Sequence, residues 1–480
     1  GAGSIQSSEV MLTAGNGIGA ELPLQLTAAH VSAASTAGQV LLSNSRDSRF
    51  TRVATSEGMI MVTGTGQTIF EDVLAVDGNI SLSTLGGDLT VVLARQQNSG
   101  NLDLATAESG SIVIGRVSTP GILYATAADS TLELGQDPDS DIDAASIALQ
   151  ARSGIGTAAN SLELGTAPVS LAAVTETGHI NLLSFGETLI TQVAELTGLL
   201  ITDASLQTPG SIRFSSSRMI NIESSVINSS GGDLELISGD HLRLLPGAAV
   251  RAAGQGNITL AAGAGQTGNS AASFGSLTLS PETLVAAEHG SVTLTAAASV
   301  SLFRVQSIDG DITVKAALEN SDGRLIGDLQ QNTAHISTEG FVSLFAGTTD
   351  QFWTADLKVA AGSLEATLLG GTLRLDAISS LTVAGTGLRT DGASSDISVQ
   401  VDDGDLTVAA AVRAGGGSIR LNAAGNVLVQ SAAVVRTSGV GTISIDAQGG
   451  DLAMQGAASI VSESGGISIT AKNNLQITRI

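Results

Sequence analysis

The stretch QDPDSDID, residues 136 to 143, places Asp137, Asp139, Asp141 and Asp143 at alternate positions. Alternate carboxylates in a loop can converge on Ca2+, as the first, third and fifth positions of an EF-hand loop do. Asp137, Asp139 and Asp141 are therefore the candidate calcium ligands. The rest of that pattern does not follow, because Ile142 stands where the loop needs glycine and Ala148 where it needs glutamate. An acidic, solvated loop between structural repeats is the competing reading.

Other chemistry is sparse. His30, His179, His241, His289 and His335 lie at least 46 residues apart, so no pair has metal-ligand spacing within one turn. No G-x-S-x-G elbow, P-loop or H-E-x-x-H occurs. Glycine runs such as AGGGS at 414 lack the strand-to-helix context of a phosphate cradle. No catalytic or cofactor-binding residue is assigned, and the chain is not expected to be an enzyme.

Charge narrows the partners. The 480 residues carry 45 acidic against 21 basic side chains, a formal net charge of −24, and Lys315, Lys358 and Lys472 are the only lysines. Phosphate backbones would be repelled, so nucleic acid is not an expected partner, nor is an anionic membrane surface. Cysteine is absent, which is compatible with an oxidising exterior and with a cytosol. No apolar run approaches the roughly 18 residues of a membrane span.

The elements that would position any site are repeated throughout. A glycine, a small or acidic residue and then apolar–any–apolar recur as GNISL at 78, GDLTV at 87, GSIVI at 110, GNITL at 256, GDLTV at 404 and GSIRL at 417. Period-two alternation with β-branched residues predicts strands of about five residues. Three windows align without gaps, from Gly58, Gly178 and Gly290; in each the next glycine falls 20 residues on, at Gly78, Gly198 and Gly310. A coil of about 20 residues is thus the predicted unit, lengthening to about 24 over the last hundred residues, with larger modules at about 17–153, 154–274, 275–400 and 401–480.

One coil cannot bury its own apolar residues, whereas stacked coils bury them in a continuous shaft. The predicted fold is all-β, a parallel β-helix or β-solenoid of about 20 coils running through residues 1–480. At about 4.8 Å per coil this would be an elongated rod on the order of 100 Å long. Glycine suits the corners, and Asp, Asn or Ser beside it is expected to bond local backbone in the turn. The core of Ala, Leu, Ile and Val explains why there are only one Trp, one Tyr and nine Phe. An irregular bulge or loop is expected at about 318–362, around Phe341, Phe352 and Trp353.

Three stretches, GDLTVAAAVRAGGGSIRLNAAGNVLVQSAAVV from Gly404, GGDLAMQGAASIVSESGGISITAKNNLQI from Gly449 and GIGTAANSLEL from Gly154, resemble the repeat regions of filamentous haemagglutinin-like exoproteins. The resemblance covers nearly the whole chain and implies a right-handed β-helix. It also implies a bacterial adhesin that is extracellular or held at the cell surface. The family's secretion domain, with its Asn-Pro-Asn motifs, has no counterpart among these residues.

The function expected is that of a structural and adhesive rod, a stalk or fibre segment of a large surface protein that mediates attachment or cell–cell contact. NNLQITRI at the carboxyl end still reads as a strand, so a continuing chain or end-to-end self-association is expected there. A cell-surface or glycan ligand would be the other partner. A self-assembling filament or sheath subunit is the alternative, and a β-helix carbohydrate-active enzyme a lesser one, since fold alone does not decide activity.

Overall fold

The computed structural model describes residues 4–19, 21–135, 137–205, 207, 209–264, 275–316, 324–327, 333–347 and 353–477. The chain divides into two compact units, residues 1–235 and 236–480. Among the described residues both are all-β, built from short parallel strands stacked as a β-solenoid of about 19 turns. The fold class read from the repeat is the fold observed.

In the second unit the design is plain. Strands Ile397–Val401, Ile419–Ala423, Ile443–Ala447 and Ile467–Ala471 pair in parallel, residue for residue, on one face. A second face stacks Leu406–Val408, Val427–Val429 and Leu452–Met454, and a third stacks Val412–Ala414, Val434–Thr437 and Ser459–Ser462. Ile419 pairs with Ile443, and Ile443 with Ile467, which is the coil of about 24 that the spacing predicts.

Strands begin two residues after the glycine of each phrase, as at Ile80, Leu89, Ile112, Ile258 and Leu406. Alternate side chains then point inward, so that Ile80 and Leu82 are fully buried while Ser81 is only half-buried. Phe50 and Phe70 occupy the same position on consecutive coils of the first unit, with ring centroids 4.8 Å apart and planes 17° off parallel. Stacking one ring on the other lets these two coils widen together, whereas the fully buried Phe214 pairs with Leu182.

The Asp, Asn and Ser residues beside the glycines work differently from the local turn bonding expected of them. Their side chains accept a backbone N–H from the next coil. Asp405 Oδ1 accepts from Asn426 N at 2.6 Å, Asn426 Oδ1 from Asp451 N at 2.7 Å, and Asp451 Oδ1 from Asn474 N at 2.9 Å. Corner side chains thereby extend the hydrogen-bond ladder where the strands themselves end.

The window from Gly178 departs from a 20-residue coil. Ile180 pairs with Ile212, 32 residues on, and Gly210 rather than Gly198 stands at the equivalent corner. The added length includes an antiparallel hairpin, Gln192–Val193 with Leu196–Thr197, whose turn holds Ala194 at a φ of 54°. Val193 and Leu196 pack on the outward-facing Ala148 and Ala172, beside Ile122 and Tyr124. Val193 stands 15 residues after Gly178, as the core residues Val73 and Val305 stand after Gly58 and Gly290, yet it buries itself on the outside of the shaft. Of the irregular stretch at 318–362, residues 318–323, 328–332 and 348–352, Phe352 among them, lie outside the described residues. Ile336–Ala346 and Thr354–Leu368 within it are strands.

Candidate functional site

Three carboxylates converge in the first unit. Glu133, Asp141 and Glu163 each offer an oxygen, and these atoms all lie within 4.8 Å of one another. The three side chains are 9%, 3% and 6% exposed.

Local structure explains each placement. Glu133 closes the strand Ser130–Glu133, which pairs so that Thr131 and Glu133 stack on the buried Ile112 and Ile114. That register turns Thr131 and Glu133 inward and leaves Leu134 39% exposed. Asp141 ends the acidic loop and leads into Ile142–Ala151, and Ile142 pairs with Leu164. Glu163, the middle residue of Leu162–Leu164, is held against Asp141 by two bonds: Asp141 N donates to Glu163 O at 3.0 Å, and Glu163 N to Asp141 Oδ2 at 2.8 Å.

Polar neighbours satisfy part of the cluster. Ser161 Oγ donates to Glu163 Oε1 at 3.0 Å, and Asp137 N to Glu133 Oε1 at 3.2 Å. The Asn160 amide donates to Glu133 Oε2 and, at 3.0 Å, to Gly135 O. Glu163 Oε2 is buried with no hydrogen-bond donor. Among the described residues no Arg, Lys or His forms an ion pair with any of the three, the nearby Arg116 being engaged with Asp143 at 3.2 Å.

Burial and mutual repulsion raise the proton affinity of the group. Asp141 is pushed up to about 9, first by burial and then by the Glu163 and Glu133 charges, against the opposing effect of the Glu163 backbone N–H. Glu163 is raised as well, chiefly by burial. With no cation bound, Asp141 is protonated in the folded chain at neutral pH and ionised in the unfolded one. Its stabilising effect is therefore complete below the ordinary carboxylate range and is lost as pH rises towards about 9. In chelator-treated protein the stability of the first unit should fall between about pH 4 and pH 9, with a slope of up to about 1.4 kcal/mol per pH unit. Asp141→Asn should flatten that slope; urea unfolding across the pH range measures both.

The sequence-derived calcium ligands are split by the fold. Asp141 lies inside the cluster, whereas Asp137 and Asp139 are exposed on the loop, where Asp139 N donates to Asp137 Oδ1 at 3.0 Å. Asp143 is partly exposed and binds Arg116. Spacing along the chain did not reveal Glu133, which stands on Asp141's own coil before the loop, or Glu163, which reaches the site from the next coil. Glu163 occupies the place between the two apolar residues of the phrase NSLEL, a place that normally faces solvent.

The histidines act mainly as corner acceptors. His179, His241 and His335 each take a backbone N–H from the following coil on Nδ1, at 3.0, 3.1 and 2.8 Å, while His289 Nδ1 lies 3.1 Å from Asp309. Family models, curated proteins and solved structures contain no match to the chain. The functional reading therefore rests on the fold and on these side chains. Among the described residues no helix is long and apolar enough to cross a membrane.

Proposed function

We propose that the chain is a structural and adhesive segment of a large bacterial surface protein, a stiff spacer that carries or forms part of an attachment surface outside the cell. The observation that supports this reading is the residue-for-residue stacking of consecutive coils, as along Ile397, Ile419, Ile443 and Ile467. Such stacking makes each unit stiff, because bending must stretch hydrogen bonds of several parallel ladders at once. It also aligns outward side chains, such as Ser398, Arg420, Ser444 and Ser468, into a repeating polar surface suited to multivalent contact with a cell surface or glycan. The resemblance to filamentous haemagglutinin-like repeats points the same way. The chain acts in this reading by shape and display, without catalysis.

Immunogold electron microscopy of intact cells tests it. Label on rods or fibres projecting from the surface is the expected result, and masking the chain with antibody should reduce attachment to host or neighbouring cells. Label confined to the soluble cell contents would overturn the reading.

A further inference from the structure

We propose that Glu133, Asp141 and Glu163 form a binding site for one hard divalent cation, calcium by size, which fastens the acidic loop to the adjoining coils of the first unit. The carboxylate oxygens lie within 4.8 Å of one another. Calcium bonded at about 2.3–2.6 Å spans oxygens up to about 5 Å apart, whereas magnesium at about 2.0–2.1 Å spans only about 4.2 Å. Separations of at most 4.8 Å thus lie within calcium's reach.

A second observation concerns Glu163. Its side chain is 6% exposed, Ser161 fills Oε1, and Oε2 has no donor. A buried carboxylate oxygen left without a partner is costly. What faces it is Asp141, which is itself an acceptor unless it carries a proton. Two occupants can relieve this arrangement, a proton shared between Asp141 and Glu163 or a cation among all three carboxylates. One shared proton leaves two negative charges in a buried place without an ion-pair partner; a divalent cation leaves one.

Further oxygens are close by. Gly135 O lies beside Glu133, where both accept from the Asn160 amide. Gly135 has a φ of 127° and no side chain; a Cβ there would sit 3.7 Å from Asp137 Oδ2 and 4.0 Å from Glu133 Oε1. The Gly135 carbonyl and water can therefore add to the carboxylates towards the six to eight oxygens, roughly, that calcium prefers. Asp141 belongs to this set as a buried ligand, and Asp137 stands at its entrance.

The test is calorimetric titration of chelator-treated full chain with calcium chloride near neutral pH, with thermal unfolding read in calcium and in chelator. One saturable site and a higher unfolding midpoint in calcium are expected, with weaker binding of magnesium and protons released on binding. Glu163→Gln should weaken calcium by more than about tenfold, the loss typical even of a residue that only supports a metal ligand. The double variant Asp137→Asn, Asp139→Asn should keep the site. No saturable binding at millimolar calcium would overturn the proposal and leave a shared proton as the sole occupant. Binding kept in Glu163→Gln and lost in the loop double variant would overturn it too, by placing the ion on the surface. Should Glu163→Gln fail to fold, Glu133→Gln serves as the second variant, and the wild-type titration still decides.

Discussion

Leu406→Asp is expected to unfold the coils around it and to lower the stability of the second unit by more than about 4 kcal/mol. Leu406 is fully buried and paired in register with Leu381 on one side and Val427 on the other. Two effects add at this position. The apolar contacts with both neighbours are lost, and a carboxylate enters a column of Leu and Val side chains that has no donor for it. Protonation reduces the second cost without removing it, since the neutral acid still lacks a hydrogen-bond partner. Thr407→Asp, one residue on and half-buried on the outer face, should change stability by less than about 1 kcal/mol. Ile443→Asp, at 1% exposure, should behave like Leu406→Asp. Urea unfolding followed by circular dichroism separates the three. Because stacked repeats contact mainly their neighbours, the damaged coils are expected to melt in a separate, earlier transition. Equal stability for Leu406→Asp and Thr407→Asp would contradict the inward and outward assignment on which the fold rests.

Gly110→Ala should be strongly destabilising. Gly110 has a φ of 105°, and a Cβ built there would lie 2.0 Å from Gly87 O and 2.3 Å from Gly87 C in the preceding coil. Holding an alanine in that backbone region costs about 1–3 kcal/mol by itself. The contact adds to this, because the obstacle is the backbone of the adjoining coil and cannot swing aside. Relieving it means lifting one coil from the next, which lengthens the ladder bonds on both sides of the corner. Gly86 supplies the comparison. It has no positive φ, and its nearest atoms, Ser109 Oγ and Thr65 O, lie 3.7 Å from the Cβ position. Gly86→Ala should therefore be neutral, or stabilising by up to about 1 kcal/mol through the unfolded chain. Thermal unfolding of the pair is the measurement, and a loss for Gly86→Ala as large as for Gly110→Ala would refute the corner argument.

These two positions also mark how far local pattern reaches. The inward placement of Leu406 and the corner role of Gly110 follow from the phrase in which each stands, because alternation and glycine position are properties of five consecutive residues. The expected 20-residue step from Gly58 to Gly78 holds for the same reason, and Ile60 pairs with Ile80. The step from Gly178 fails because a hairpin is spliced into the coil, and Val193 obeys the apolar spacing while packing on the outside. The corner Asp and Asn residues were recognisable, but their partners were not, since the bond from Asn426 N to Asp405 joins residues a coil apart.

By itself the sequence determined an all-β chain of short strands stacked in parallel, with Ala, Leu, Ile and Val inside and glycine at the corners. Each of those properties is written in spacing along the chain, and the repetition leaves stacking as the way to bury the apolar face. The tertiary structure alone decided that Glu133, Asp141 and Glu163 meet. Along the chain Asp141 follows Glu133 by 8 residues and Glu163 follows Asp141 by 22, no spacing that marks a site, and Thr131 and Glu133 turn inward only because they register on Ile112 and Ile114. A shift of one residue would have put Leu132 and Leu134 there instead, since strand side chains alternate faces. Alternation read locally favours that shifted frame, and only pairing with the coil below selects the other, bringing a carboxylate inside to face two more.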